Sequence, residues 1–200
     1  MRPFYAETIQ HGGRAFEVSL YSDYYHGNPW DESDGHGAPR CLNHRETMQR
    51  GEVWLCDTGE ETWAYDFGAA LLKASREKWG LCPDDLQRLT DRIGKKPSRG
   101  QIRAEAVRKD MEYLRGFICG DWHYMGVCVR LIGPDGAPEG DAFDNALWGV
   151  ESSGDHWREV AQELANEILH VRGSAWRAAL HEARARKYCA SCDVQTVGAE

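Results

Sequence analysis

No stretch of this 200-residue chain approaches the run of roughly 18–20 apolar residues that crosses a bilayer. The first residues also lack an apolar run, because the chain reaches an acid at Glu7. We therefore expect no secretory signal, no membrane-spanning segment and no membrane partner.

A dense, even set of cysteines is missing too. The seven cysteines are scattered at positions 41, 56, 82, 119, 128, 189 and 192, whereas a secreted disulfide framework is compact and usually even in number. Most of them are expected to be reduced and to act as small buried apolar side chains. The predicted compartment is therefore reducing, which indicates the cytoplasm.

The common catalytic signatures are absent. The chain contains no Walker loop, no Gly-x-Gly-x-x-Gly fingerprint and no Gly-x-Ser-x-Gly elbow. His181 and Glu182 resemble the start of a zinc-protease helix, but Ala185 stands where the second histidine ligand belongs. No catalytic residue is assigned, and whether the chain is an enzyme stays open.

The composition is nevertheless that of a folded protein. Hydrophobic residues make up 42% of the chain, and the eight tryptophans are more than a disordered segment would carry. No linker, repeat or low-complexity run divides the sequence. We predict one domain over residues 1–200, with a flexible acidic loop at 23–40 and a loose tail at 189–200.

Periodicity predicts an α+β fold. Alternating apolar residues indicate a strand at 16–21 and two hairpins, 53–56 with 62–65 and 122–132 with 145–151. Helical spacing indicates five helices, at 66–79, 83–94, 98–118, 155–172 and 174–188, with Gly173 ending the fourth. The expected architecture is a mainly antiparallel sheet of two hairpins and an N-terminal strand, covered by about five helices.

Charge is distributed in blocks beneath a net value of −8. Residues 67–119 hold 12 bases against 7 acids, whereas residues 120–170 hold 10 acids against 2 bases. An acidic block of this kind can form a face that repels nucleic acid and attracts a basic protein. Charges that cancel across an ordinary solvated surface are the alternative.

The loop at 23–37 and the flanks of the second hairpin contain the acids of such a face. In the loop, acids stand beside aromatic residues, a combination suited to recognising a basic surface, although a cation site and a plain solvated loop are alternatives. The predicted partner-binding residues are Trp30, Asp31, Glu32, Asp34, Asp141, Asp144, Glu151 and Asp155. If they converge, the acids form a rim around exposed aromatic side chains.

The strongest basic cluster joins two predicted helices within residues 84–118. Lys95, Lys96, Arg99 and Arg103 surround a turn with the outline of a helix-turn-helix, and Arg108 and Lys109 follow on the second helix. The acidity of the whole chain opposes DNA binding, which depends on a positive footprint. Nucleic acid is therefore an unlikely partner, and a nucleic-acid-binding regulator is kept as an alternative.

Two short pairs of residues could hold zinc. Cys41 and His44 form a Cys-x-x-His pair, and Cys189 and Cys192 form a Cys-x-x-Cys pair. Together they would make a structural site with three cysteines and one histidine. Free thiols are the alternative, so no cofactor is expected and zinc is kept as a possibility.

Three runs of sequence resemble small acidic accessory proteins of bacteriophages and mobile elements. They are Asn-Pro-Trp-Asp-Glu-Ser-Asp-Gly-His-Gly at 28–37, Asp-Trp-His-Tyr-Met-Gly-Val at 121–127 and Leu-Trp-Gly-Val-Glu-Ser at 147–152. By association, the resemblance implies an inhibitor of a host defence complex, of the anti-CRISPR or antirestriction type, acting by stoichiometric binding in the bacterial cytoplasm. An unrecognised metal-dependent enzyme is the second alternative, after the nucleic-acid-binding regulator.

Overall fold

The computed structural model describes residues 1–33, 35–43 and 46–193, with side chains as far as Ala175. Its elements, in chain order, are β1 (Tyr5–His11), β2 (Arg14–Ser22), α1 (Pro29–Glu32), β3 (Pro39–Leu42), β4 (Glu52–Asp57), β5 (Thr62–Asp66), α2 (Phe67–Glu77), α3 (Pro83–Ile93), α4 (Arg99–Ile118), β6 (Tyr124–Leu131), β7 (Ala146–Glu151) and α5 (His156–Asp193). The predicted α+β class is confirmed.

The strands form two antiparallel sheets, so the expectation of a single sheet is wrong. One sheet has the order β1-β2-β6-β7 and the other the order β3-β5-β4. Both predicted hairpins are present, but each belongs to a different sheet. Local periodicity identifies strands and adjacent pairs, whereas membership of a sheet depends on pairing between distant segments.

Contacts divide the chain into two compact units. Unit 1 consists of Met1–Tyr24 and the chain from Tyr124 onward, and unit 2 consists of Tyr25–His123. The chain leaves unit 1 after β2 and returns to it at β6. The prediction of one domain stays a prediction, because compactness does not show whether the units unfold together.

Unit 1 is a four-stranded sheet with α5 packed on one face. Phe16 and Val18 of β2 and Val127 and Val129 of β6 are fully buried there. Their partners from α5 share the 3.6-residue spacing of a core-facing stripe and are Trp157, Val160, Ala161, Ala165 and Ile168. The alternation along the strands therefore buries one face against the helix.

The edge strand β1 was not predicted, although the sequence carries a signal for it. Gly12 and Gly13 both have positive φ, at 55° and 74°, and join β1 to β2 in a two-residue turn that pairs His11 with Arg14. Two glycines suit such a turn because it requires left-handed backbone at both positions. Polar residues along β1 hid its alternation.

The helix α5 continues past Gly173, so the prediction of two separate helices is wrong. It runs without interruption from His156 to Asp193. A glycine inside a helix costs only about 1 kcal/mol relative to alanine, and the segment that follows is rich in alanine and arginine, which favour helix. Within the described part of the chain, α5 included, no helix is long and apolar enough to cross a bilayer.

Unit 2 combines the second sheet with α1 to α4. The side chain of Asp66 accepts a hydrogen bond from the amide of Ala69 at the start of α2, as predicted. Ser98 and Gln101 form a reciprocal capping box that begins α4. The buried core of this unit lies between β4, β5, α2 and α4 and consists of Leu55, Cys56, Tyr65, Ala70, Ala74, Val107 and Leu114.

The segment predicted as a flexible loop at 23–40 contains regular structure. It includes the single turn of α1 and the first residues of β3, which pairs with β5. Pro39 begins that strand at the edge of its sheet, a position that tolerates a missing amide donor. Residues 194–200 of the predicted loose tail lie outside the described residues.

We expect truncation of Phe16 to destabilise the protein far more than truncation of Phe4. Phe16 is fully buried in unit 1, whereas Phe4 is 53% exposed. Phe16→Ala should lower the free energy of unfolding by about 3–5 kcal/mol, and Phe4→Ala by less than about 0.5 kcal/mol. Urea denaturation followed by circular dichroism measures both. Equal effects would contradict the placement of the core.

Candidate functional site

The residues predicted to form one acidic and aromatic face belong to both units. Trp30, Asp31 and Glu32 lie in unit 2, whereas unit 1 contains Asp141, Asp144, Glu151 and Asp155. Asp34 lies outside the described residues.

In unit 2, Trp30 packs inward. Its ring lies 5.8 Å from the ring of Trp63 and 6.0 Å from that of Phe117, measured between centroids, and it is half-buried against the core of the unit. Asp31 accepts a hydrogen bond from Asn28 at 2.8 Å, and Glu32 accepts one from the amide of Gly27. These contacts shape α1 and give Trp30 a structural role.

In unit 1, two exposed aromatic residues contact each other on the sheet face opposite α5. Phe143 is 43% exposed and Trp148 is 41% exposed, and their ring centroids lie 6.0 Å apart. Phe143 also meets the buried ring of Tyr21 edge-on at 5.2 Å. Trp148 lies directly over Gly126, where a Cβ atom would come within 2.5 Å of the indole. Gly126 therefore allows Trp148 to lie flat on the sheet.

The acids beside these rings hold the turn that presents Phe143. Asp141 accepts a hydrogen bond from the amide of Phe143 at 3.1 Å through Oδ1, and Asp144 accepts one from the amide of Asp141 at 2.9 Å through Oδ2. Among the described residues, neither carboxylate is ion-paired, and the second oxygen of each has no hydrogen-bond partner. Both remain available as anionic groups.

Two further predicted acids lie near the end of β7. Glu151 is half-buried and pairs in register with Tyr124. Asp155 is 88% exposed in its side chain and stands 3.6 Å from Arg158, which also binds Glu7. Asp155 is therefore partly neutralised. We define the acidic–aromatic surface as Phe143, Trp148, Asp141, Asp144 and Glu151.

A buried polar centre in unit 2 escaped the prediction. The carboxylate of Asp110 on α4 accepts hydrogen bonds from Nδ1 of His36 at 2.6 Å, from the amide of Gly37 at 2.8 Å and from the hydroxyl of Tyr65 at 2.6 Å. Burial, together with the bond to Asp110, raises the pKa of Tyr65 far above its usual value, so the phenol stays a donor. This centre ties the loop before β3 to β5 and α4.

Two more contacts hold His36 in place. Its ring stacks on Tyr113 with 5.1 Å between centroids and 5° between planes, and its carbonyl accepts a hydrogen bond from Lys73 of α2. The signal available in the sequence was Asp110 itself. It follows Val107 by three residues on the apolar stripe of α4, where a charged side chain requires partners.

The basic cluster is divided between paired and unpaired side chains. Arg92 and Arg108 both bind Glu105, at 2.7 Å and 3.0 Å, and these bonds hold the pKa of Glu105 below its usual value. Lys109 binds Asp85 at 2.8 Å and lowers the pKa of that carboxyl. Arg108 and Lys109, on the second helix of the predicted helix-turn-helix, are therefore ion-paired.

The four residues predicted to bind nucleic acid differ from these ion-paired side chains. Lys95 and Lys96 are exposed in the connection between α3 and α4, while Arg99 and Arg103 lie on the first turns of α4. Among the described residues, none of the four has a carboxylate within ion-pairing distance. Their charge is uncompensated.

The proposed zinc ligands fall largely outside the described side chains. Cys41 is exposed on β3, but His44 and the side chains of Cys189 and Cys192 are not among those described. No group of three or more histidine, cysteine, aspartate or glutamate side chains in the described part of the chain is arranged to hold a metal ion. The set of three cysteines and one histidine stays a prediction.

No protein-family model, no curated protein and no solved structure matches this chain. The resemblance to phage accessory proteins therefore rests on the three sequence runs alone.

We expect Gly37 to tolerate no side chain. A Cβ atom at Gly37 would lie 2.3 Å from the hydroxyl oxygen of Tyr65, whereas one at Gly80 would meet nothing within 4 Å. Gly37→Ala should therefore lower the free energy of unfolding by about 1–3 kcal/mol, and Gly80→Ala should change it by less than about 0.5 kcal/mol. Chemical denaturation measures both values. A neutral Gly37→Ala would show that Tyr65 does not hold this loop through Asp110.

Proposed function

We propose that this chain is an interaction protein that inhibits a host defence complex by stoichiometric binding through its acidic–aromatic surface. The observation that supports it best is the contact between two exposed aromatic rings, Phe143 and Trp148, beside the unpaired carboxylates of Asp141 and Asp144. The phage-type origin comes from the sequence resemblance.

Aromatic side chains supply the energy for such a surface. Tryptophan and other large rings are enriched among the few residues that dominate binding energy, since each buries much area with little loss of side-chain freedom. Trp148 lies on Gly126, and Phe143 is braced by Tyr21. Both rings are therefore oriented before a partner arrives, which lowers the entropic cost of binding.

The carboxylates indicate what kind of partner fits. Anions beside an apolar centre match a protein surface that is basic and normally holds the phosphates of DNA or RNA. The turn at 141–144 uses one oxygen of each aspartate for its own hydrogen bonds and leaves the other for the partner. Charges of this kind act mainly on the association rate, while the rings act on the dissociation rate.

We expect Trp148→Ala and Phe143→Ala to abolish capture of the host complex, whereas Leu147→Ala should retain it. Leu147 is the matched control because it is 47% exposed on the same strand but pairs with Val127 and so faces the α5 side of the sheet. Loss of either ring should cost about 2 kcal/mol or more of binding energy. The measurement is tagged capture from nuclease-treated lysate of an expressing bacterium, with variants checked for unchanged melting temperature. Equal capture by all three variants would refute the proposal.

The acids are tested by removing charge without removing the turn. Asp141→Asn and Asp144→Asn keep an oxygen that can accept the turn's hydrogen bonds. Against the captured complex, the double variant should associate more slowly than the parent at low salt and about equally at high salt, because only the electrostatic attraction is lost. Biosensor kinetics at several salt concentrations measure this. If the double variant associated as fast as the parent at low salt, Asp141 and Asp144 would not belong to the binding surface.

A further inference from the structure

A cavity of about 360 Å³ in unit 2 has an unusual lining. It is bordered by Lys78 and Trp79 at the end of α2 and by Arg99, Ile102 and Arg103 at the start of α4. Three of these five side chains are cationic and none is acidic. The volume is within the range, about 300–1,000 Å³, of cavities that hold small molecules.

The geometry of the two helices explains why these groups meet. Arg99, Ile102 and Arg103 lie three and four residues apart, so they share one side of α4. Lys78 has left-handed backbone, with φ of 60°, and directs the chain away from the end of α2. That turn brings Trp79 to the cavity, where its indole remains packed on the core of the unit.

The three cations lack the partners that neutralise their neighbours. Among the described residues, Lys78, Arg99 and Arg103 form no ion pair, whereas Arg92 and Arg108 share Glu105. Arg103 is half-buried, and within the described part of the chain its guanidinium has only a long hydrogen bond of 3.4 Å to the hydroxyl of Ser75. A partly buried cation without a counter-ion is unfavourable unless an anion is supplied.

Glu77, the acid that precedes Lys78 in the chain, is already engaged. Glu77 accepts hydrogen bonds from Nε1 of Trp79 at 3.0 Å and from Arg76 at 3.3 Å. The bond from Trp79 is the main cause that keeps the pKa of Glu77 below its usual value. Glu77 thereby fixes the edge of the indole and leaves the three cations of the cavity unpaired.

We propose that this cavity binds a nucleoside phosphate. Arginine and lysine together suit a phosphate, which guanidinium groups contact with two parallel hydrogen bonds. The indole of Trp79 and the aliphatic side chain of Ile102 offer flat and apolar contact for a base, as in proteins that bind single-stranded nucleic acid. Three charges with one aromatic ring match this combined chemistry better than they match a simple inorganic anion.

Two of the amide groups at the start of α4 are not available to this site. Ser98 and Gln101 cap each other, so two of the first amides are already satisfied. The cations that α4 presents to the cavity are the side chains of Arg99 and Arg103. This makes the site sensitive to single substitutions at Arg99 and Arg103.

Duplex DNA does not suit the same surface. The arginines line a small concavity, and two cations farther along α4, Arg108 and Lys109, are paired with Glu105 and Asp85. The ligand is either a free nucleotide or one nucleotide of a single strand, since both carry the same phosphate and base. This site lies in unit 2 and is independent of the acidic–aromatic surface.

The test is calorimetric titration of the full chain with ATP, with tripolyphosphate and with a ten-residue oligothymidylate. We expect ATP or the oligonucleotide to bind, Arg99→Gln and Arg103→Gln each to weaken that binding about tenfold or more, and Arg103→Lys to weaken it less. Lys96→Gln and Arg108→Gln are the charge-matched controls and should change the affinity less than about twofold. Tighter binding of the oligonucleotide than of ATP identifies a single strand as the source, and the reverse identifies a free nucleotide.

Three outcomes would overturn the proposal. The first is no heat of binding for ATP or the oligonucleotide up to about 1 mM, which corresponds to roughly −4 kcal/mol. The second is parent-like affinity of both glutamine variants. The third is tripolyphosphate binding as tightly as ATP, because the base would then make no contact. Trp79→Leu tests the contact with the base directly. In this variant, checked for parent-like circular dichroism, the affinity for ATP should fall to the affinity for tripolyphosphate.

Discussion

The antiparallel pairing of β2 with β6 holds unit 1 together although all of unit 2 lies between these strands in the sequence. The register runs from Phe16 opposite Leu131 to Ser22 opposite Met125. Closing so long a connection costs entropy that grows only slowly with length, so a well-packed ladder can offset it. The fully buried Val18 and Val129 lie directly opposite each other in that ladder. The acidic–aromatic surface depends on this pairing, because Tyr21, which braces Phe143, stands opposite Gly126, which carries Trp148.

Unit 2 depends on a different interaction. The carboxylate of Asp110 accepts hydrogen bonds from the ring of His36 and the amide of Gly37, which lie in one loop, and from the hydroxyl of Tyr65 on β5. A buried charge of this kind is tolerable only when it is fully hydrogen-bonded. By holding His36 and Tyr65, it orders the segment that the composition alone suggested to be a loop. The core between α2 and α4 also sets the distance between Trp79 and the two arginines, Arg99 and Arg103, that line the same cavity.

The two units thus carry groups of opposite charge, and each group comes from one of the charge blocks of the sequence. The acidic block at 120–170 supplies Asp141, Asp144 and Glu151 to unit 1, while the basic block at 67–119 supplies Lys78, Arg99 and Arg103 to unit 2. In the basic block, Glu105 and Asp85 pair with Arg92, Arg108 and Lys109. Among the described residues, Lys78, Lys95, Lys96, Arg99 and Arg103 form no ion pair. Three of these cations, Lys78, Arg99 and Arg103, line the cavity that we propose to bind a nucleoside phosphate.

The sequence by itself determined the elements whose signals are local. The α+β class, both hairpins, the caps at Asp66 and Ser98 and the stripe of α4 follow from periodicity and capping chemistry, which act over a few residues. The glycine pair at 12–13 is an equally local signal, and it indicates the hairpin of β1 and β2 that was not predicted. Only the tertiary structure decided which strands share a sheet and that Trp30 packs inward while Trp148 stays exposed. It also decided that Arg108 has a counter-ion, whereas Arg103 has none among the described residues. Each of these depends on contacts between residues far apart in the chain, and neither spacing nor composition records such contacts.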